Sequence, residues 1–318
     1  MDQVTIAGTE LKASPVGYGC MRIRGQWSKE PVTQEEIDRG LNAVKHAFEA
    51  GINFFDHADI YSRGRVEELF SHLWDRGVNR DSVILQSKCG IKPDIQGYDF
   101  SYEHIIASVE GILQRLRTDY LDILLLHRPD VLMEPEEVAR AFDDLETSGK
   151  VRHFGVSNFT PAQISLLNKT LDQKIICNQI RLSLLFNHAF NSYIVAGGNE
   201  EGVATRGEGI LEYCMENNIS VQAYNPLAGG RVSGKPFDDE PESVREVASL
   251  VESTAVELNV SREAILLAWL MRHPAHIHPI IGTTKPERID AALQALNITL
   301  SRKQWYALFN TARGGKVP

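Results

Sequence analysis

Four cysteines are all that 318 residues contain, and Cys20, Cys89, Cys177 and Cys214 lie far apart, in or beside apolar runs. That pattern argues against a disulfide framework and for buried free thiols in a reducing compartment. No apolar run approaches the ~20 residues of a membrane span, and Met1-Asp2-Gln3-Val4-Thr5 lacks the charged and apolar regions of a signal peptide. A cytoplasmic location is expected. Lysine and arginine form no cluster and are outnumbered 33 to 42 by acidic residues, giving a net charge of −9. This disfavours attachment to nucleic acid or an anionic membrane. No Pro/Gly/Ser-rich linker divides the chain, so one domain is expected over 1–318. The composition, 43% hydrophobic and 24% charged, is that of an ordinary globular protein with room for a sizeable core.

What is present is alternation. Thr33 and Glu36 form a capping box before a helix whose apolar positions Ile37, Leu41, Val44 and Phe48 share one face, and Gly51 closes it. Ser101 caps a second helix with Ile105, Val109, Ile112, Leu113 and Leu116 inward. Glu136 to Thr147 forms a third, and Thr160-Pro161 with Gln163 opens a fourth. Between these lie short apolar runs, and eight strands are expected to begin near 15, 53, 83, 121, 151, 175, 220 and 278. Eight such units with parallel pairing and right-handed crossovers predict a (β/α)8 TIM barrel, a fold of roughly 250 residues. Val4-Thr5-Ile6 and Glu10-Leu11-Lys12 around Gly8-Thr9 read as a hairpin capping the barrel floor. Two segments, 187–208 and 228–240, exceed the length of a simple connection, and long loops on the ligand face are usually functional.

Several strands end in reactive side chains. Phe54-Phe55 runs into Asp56 with Tyr61 just beyond, Val83-Ile84-Leu85 leads to Lys88, and Ile123 to Leu126 ends at His127. Residues past the carboxyl ends of barrel strands face the mouth, where ligands bind. A phenol of pKa near 10 gives up its proton efficiently at neutral pH only beside a cation, and Lys88 can be that cation if Asp56 balances its charge. With His127 donating to a bound carbonyl, the four make a general acid suited to carbonyl reduction. Downstream, Ile280-Ile281-Gly282-Thr283-Thr284-Lys285-Pro286-Glu287-Arg288 reads as the last strand and the start of a helix. Two cations at a helix amino terminus make sense if a phosphate sits there, and the loops after the last two strands are the usual phosphate site of a barrel.

These residues carry a resemblance to the aldo-keto reductase superfamily, and most to its bacterial YdhF-like oxidoreductase branch. Gly51 to Glu68, with Phe55-Asp56-His57-Ala58-Asp59-Ile60-Tyr61 at its centre, is similar to the family signature. Arg117-Thr118-Asp119-Tyr120-Leu121-Asp122 and Gly149-Lys150-Val151-Arg152 through Gly155-Val156-Ser157-Asn158-Phe159 resemble further hallmarks. The resemblance implies a catalytic tetrad of Asp56, Tyr61, Lys88 and His127, with Tyr61 the proton donor. It further implies that Ser157, Asn158 and Gln179 hold a nicotinamide carboxamide, that Tyr224 stacks on its ring, and that Gly19, Cys20 and Met21 lie nearby. Asn225, Leu227, Ala228, Gly229 and Arg231 would contact the pyrophosphate; Gly282, Thr283, Thr284, Lys285 and Arg288 would line the adenosine 2′-phosphate site, favouring NADP(H). The implied partner is a small-molecule carbonyl substrate.

The chain also departs from the family pattern. It has His57 where Thr is usual, Ser62 where Gly is usual, and Ala291-Ala292 where many members carry Glu-Asn to hold adenine. The segment 311–318 is a short tail, so substrate specificity is expected to come from elsewhere, with 187–208 a candidate. Two other readings fit parts of the pattern: a cofactor-binding redox sensor like the channel subunits of the family, and a metal-dependent barrel hydrolase using His127 and the Asp56–Asp59 cluster. No metal is expected, since the set of ligands is unconvincing and His276-x-His278 sits on the last strand.

Overall fold

The computed structural model describes residues 1–194, 209–234 and 239–317. A hairpin comes first: β1 (Val4–Thr5) pairs antiparallel with β2 (Lys12–Ala13). The barrel begins with β3 (Gly17–Gly19), β4 (Phe54–Asp56) and β5 (Ile84–Cys89). A second hairpin, β6 (Ile91–Lys92) and β7 (Gly97–Tyr98), rises from the end of β5. Then follow β8 (Leu121–Leu126), β9 (Val151–Ser157), β10 (Ile175–Arg181), β11 (Ser220–Tyr224) and β12 (His278–Ile281). The eight long-range partners pair in parallel and close, β12 returning to β3. The expected (β/α)8 barrel is the observed fold, with strand starts within two residues of those read from the sequence. The β6–β7 hairpin was not anticipated.

Helices wrap the outside: α1 (Gln34–Glu49), α2 (Arg65–Ser71), α3 (Tyr102–Leu116), α4 (Pro135–Thr147), α5 (Pro161–Leu167), α6 (His188–Ile194), α7 (Ile210–Glu216), α8 (Glu242–Leu258), α9 (Arg262–Met271), α10 (Pro286–Leu293) and α11 (Arg302–Arg313). Their starts follow local chemistry. Thr33 Oγ1 accepts from the Glu36 amide while the Glu36 carboxylate accepts from the Thr33 amide, and Thr160 with Gln163 repeats the device. Ser101 Oγ accepts from the His104 amide, and Arg117, left-handed at φ 53°, ends α3. Each helix turns its apolar stripe, such as Ile37, Leu41, Val44 and Ala47, onto the barrel wall.

Inside the barrel a separate apolar cluster forms at the amino-terminal end. Ile6 and Ala13 of the hairpin meet Phe54, Ile84, Ile123, Leu125, Ile176, Cys177 and Ile280 there, which closes the floor as expected. The long segment 187–208 begins with α6, and its residues 195–208 lie outside the described residues, as do 235–238 of the second long segment. Among the described residues no helix is long and apolar enough to cross a membrane.

Candidate active site

β4 delivers Asp56, two residues beyond Phe54 of the apolar floor, and β5 delivers Lys88, four residues beyond Ile84, to the same inward surface, because side chains alternate along a strand. Lys88 is fully buried, and its Nζ donates to both Asp56 oxygens and to the His57 carbonyl, each at 2.7 Å. Nζ also lies 3.4 Å from the Tyr61 hydroxyl. Burial by itself would strip the lysine of its charge, but Asp56 and Tyr61 more than offset this and hold its pKa above the usual lysine value. Burial pushes the Tyr61 phenol above its ordinary value while Lys88 pulls it back. The cation therefore remains charged beside the one hydroxyl it can acidify.

Tyr61 stands on a tight turn. Ser62, Arg63 and Gly64 follow it with φ of 46°, 55° and 84°, three left-handed residues in succession. Only glycine adopts this without strain. The turn is pinned by Ser62 Oγ donating to the Gln26 carbonyl at 3.2 Å, and by a buried brace in which Arg115 and Ser87 donate to Glu67. The loop before α1 is tied by Arg24, which is buried and donates to Glu36, Ser28 and Pro31. That loop sets Trp27 edge-on to Tyr61, ring centres 6.4 Å apart.

His127 ends β8 with its ring edge-on to Tyr61 at 6.1 Å. Burial, reinforced by Lys88 and Arg128, keeps its pKa well below the usual histidine value, so the imidazole is neutral. Its Nδ1 is buried with no partner among the described residues. The tautomer protonated on Nε2 leaves only a lone pair stranded there, and makes Nε2 the nitrogen able to donate.

The other residues picked from the sequence form a chain along one wall. Ser157 Oγ donates to the Gln179 carbonyl, Asn158 Nδ2 donates to Ser157 Oγ, and Tyr224 OH donates to Asn158 Oδ1, at 2.9, 2.9 and 3.1 Å. Gly19 lies opposite Asp56, and Cys20 beyond it is buried with its thiol pushed far up by burial. The loop Asn225–Arg231 is coiled tightly: Asn225, Ala228, Gly229 and Gly230 are all left-handed, and the Asn225 side chain accepts from the Gly229 amide. Arg288 packs over the end of this loop, where a Cβ on Gly230 would lie 3.6 Å from its Nη2, and more tightly over Gly234 just beyond it. Gly282, Thr283 and Thr284 connect β12 to Lys285, the residue that precedes α10, and the Thr283 carbonyl accepts from Tyr18 OH. Arg288 is not an unbalanced cation, however: its Nε and Nη2 donate to Glu263 at 3.1 and 2.9 Å.

The departures from the family pattern have structural consequences. His57 is fully buried, edge-on to Phe70 at 4.5 Å, with neither ring nitrogen partnered among the described residues, and burial lowers its pKa to about 3. Asp59 is raised to about 7, by burial first and then by Glu67. His276 and His278 do not converge: His276 is exposed, whereas His278 is buried on Phe54 and bonded to the Ser14 carbonyl. All four cysteines are buried free thiols. Sequence reading missed Gln86 and Gln222, which occupy the barrel interior with Gln179. The signal was available: Gln86 is two residues before Lys88 and Gln222 two before Tyr224, so each shares its neighbour's face.

The aldo/keto reductase family profile matches residues 15–310. Over essentially the full length of both chains, the protein is 37% identical to the uncharacterized oxidoreductase YcsN of Bacillus subtilis and 36% identical to the oxidoreductase YdhF of Escherichia coli. It is 33% identical to a 6-dehydroglucose reductase of Agrobacterium fabrum, covering 97% of each chain. The fold superposes with a TM-score of 0.82 on a glycerol dehydrogenase from Gluconobacter oxydans, at 22% identity, covering 98% of this chain and 94% of that one. With a closed parallel barrel, a buried Asp56–Lys88 pair beneath Tyr61, and a family match across nearly its whole length, this chain belongs to the aldo/keto reductase family of oxidoreductases.

Proposed function

We propose that the protein is an NADPH-dependent reductase that converts an aldehyde or ketone to an alcohol, with Tyr61 as the proton donor. The observation that carries this reading is the Lys88 ammonium, locked by Asp56 and 3.4 Å from the Tyr61 hydroxyl. A carbonyl oxygen gaining negative charge near Tyr61 takes the phenolic proton, and Lys88 stabilises the phenolate left behind. His127, donating from Nε2, orients that oxygen. The buried surroundings of Lys88 limit water at the transfer.

Bound NADPH would supply the hydride. Asn158, Ser157 and Gln179 would hold its carboxamide. Both amide hydrogens of Gln179 are already donated inside the barrel, to Asp56 and Gln222, which leaves its carbonyl oxygen to accept. Tyr224 is fixed through its hydroxyl, and its ring is a platform for the nicotinamide. The small, coiled Asn225–Arg231 loop lets a pyrophosphate approach the backbone, with Arg288 over it and Lys285 at the start of α10. Glu263 anchors Arg288 and takes up part of its charge, so Lys285 carries more of the preference for a 2′-phosphate than spacing alone implied. Identity to the 6-dehydroglucose reductase makes a sugar-derived aldehyde the first substrate to try.

The test is cofactor oxidation, with NADPH and NADH, against a panel of aldehydes and ketones including 6-dehydroglucose. Tyr61→Phe should lose ~10²–10⁴ of turnover while still binding NADPH. A variant within a few-fold of wild type would overturn the proton-donor assignment.

A further inference from the structure

Below the Asp56–Lys88 pair lies a layer of three buried glutamines contributed by three strands: Gln86 on β5, Gln179 on β10 and Gln222 on β11. Gln179 and Gln222 are register partners, and Gln86 reaches them across the barrel. Gln86 and Gln222 bond reciprocally, each amide nitrogen donating 2.9 Å to the other's carbonyl oxygen. Gln86 spends its other hydrogen on Asp56 Oδ1 at 2.6 Å, and Gln179 reaches the same oxygen at 3.1 Å. Oδ1 thus accepts from two amides as well as from Lys88, while among the described residues Oδ2 accepts from Lys88 alone.

We infer that Gln86 and Gln222 are positioning residues: Gln86 clamps Oδ1, and Gln222 holds Gln86 and Gln179 in place to do so, so that the charge of Asp56 is dispersed and the aspartate is kept from cancelling the Lys88 field at Tyr61. The inference rests on the proton-donor reading of Tyr61. A buried carboxylate 2.7 Å from an ammonium would pair with it almost completely, and the pair would show Tyr61 little net charge. Amide donors to Oδ1 take up part of the carboxylate's charge, so that less of it is set against Lys88, which both oxygens meet at 2.7 Å. Gln86 acts directly, and Gln222 acts through Gln86 and Gln179 by fixing their orientation.

The charged and titratable surroundings leave few competitors. Facing Tyr61 are Lys88, Asp56, Cys20 from the loop after β3 and His127 from the end of β8. Facing Asp56 are Lys88, Cys20, Cys177 of β10 and His278 of β12. His57 and Glu67 lie on the Lys88 side, with Asp59 and Arg115 behind. Burial keeps the thiols protonated and the three histidines neutral, and Asp59 titrates near 7, far from the alkaline range in which Tyr61 loses its proton.

The experiment is the pH dependence of benzaldehyde and glyceraldehyde reduction with NADPH, in Gln86→Met, Gln222→Met and the double variant, with thermal unfolding in parallel. Gln86→Met should lower kcat about tenfold, leave the aldehyde KM little changed, and move the alkaline limb up by roughly half a pH unit or more, since Tyr61 becomes a weaker acid. Gln222→Met should shift the limb the same way but less. The double variant should move the limb at least as far as Gln86→Met but by less than the two single shifts summed, and should be more stable than the two single losses would sum to, because the residues bond to each other. A limb at the wild-type pH with kcat within twofold would overturn the inference and make the layer packing alone. If Gln86→Met does not fold, Gln222→Met decides by the same limb. Tyr61→Phe, run alongside, separates the two ideas: activity in that variant sinks the proton-donor reading, whereas an inactive Tyr61→Phe with an unmoved limb in the glutamine variants sinks only this inference.

Discussion

The two ends of the barrel are built by the same eight strands and share almost no chemistry. At the floor, Phe54, Ile84, Ile123, Leu125 and Ile280 pack with Ile6 and Ala13 of the capping hairpin, and the few polar groups there are met singly, His278 by the Ser14 carbonyl and the Cys177 thiol by Gln86. Above it, the inward positions hold the three glutamines Gln86, Gln179 and Gln222 and the Asp56–Lys88 pair, all buried and joined in one hydrogen-bonded network through Asp56 Oδ1. The floor gains free energy by removing apolar surface from water, whereas the upper layer recovers the cost of desolvating its groups only through complete pairing. Stability and chemistry are therefore separable along the barrel axis, and substitutions at the two ends should fail in different ways.

The largest effect is expected at the floor. Phe54→Ala removes a fully buried ring that also lies edge-on to His278, and should cost about 3–5 kcal/mol in denaturant unfolding. Turnover of the protein that remains folded should stay within a few-fold of wild type. A specific loss of kcat without a loss of stability would show that the floor takes part in the chemistry.

At the mouth, the next effect is on cofactor choice. Lys285→Ala combined with Arg288→Gln, which keeps a donor for Glu263, removes two charge-assisted contacts to a 2′-phosphate and should weaken NADPH by one or more powers of ten, about 1.5–3 kcal/mol per contact at most. NADH affinity should hold, as read by quenching of tryptophan fluorescence. Equal losses for both cofactors would move the phosphate site elsewhere.

His57, buried near Lys88 with neither ring nitrogen partnered among the described residues, tests what burial without pairing costs. Its folded pKa of about 3 lies below the free value of 6.5, so the unfolded chain takes up a proton first and stability drains away as pH falls from 6.5 towards 3. By about pH 5 this amounts to roughly 2 kcal/mol. His57→Phe keeps the ring against Phe70 and removes the titration, so its melting temperature should pull further above wild type as the solution is acidified. A gap that does not depend on pH would show that His57 is not held neutral.

The smallest effect concerns the strained turn under Tyr61. Arg63 is exposed and left-handed, and Arg63→Gly should raise stability by no more than about 1 kcal/mol. A fall in melting temperature would mean that the turn carries no strain at that residue.

Much of this was legible in the chain. The strand starts, the capping boxes at Thr33 and Thr160, and the placement of Asp56 and Lys88 at strand ends all come from local periodicity and local hydrogen bonding, and the structure reproduces them. The left-handed run after Tyr61 was not legible, because Ser62 and Arg63 carry no residue preference for it, and the bond that holds Ser62 there, to the Gln26 carbonyl, comes from 36 positions away. Nor was the Arg288–Glu263 pair, whose members stand 25 positions apart on different helices; Arg288 reads from the sequence as a phosphate-site cation, with no sign of its carboxylate partner.

By itself, then, the sequence determined which residues point into the barrel, since alternation along a strand has a period of two and needs no neighbours. Only the closed sheet decided which of those residues meet. Gln86, Gln179 and Gln222 come from strands separated by as many as 136 positions, and they fall in one layer beneath Asp56 because the stagger between strands, set when β12 returns to pair with β3, aligns their heights. Alternation assigns a side chain to the interior, but the stagger that gives it partners belongs to the whole ring of strands.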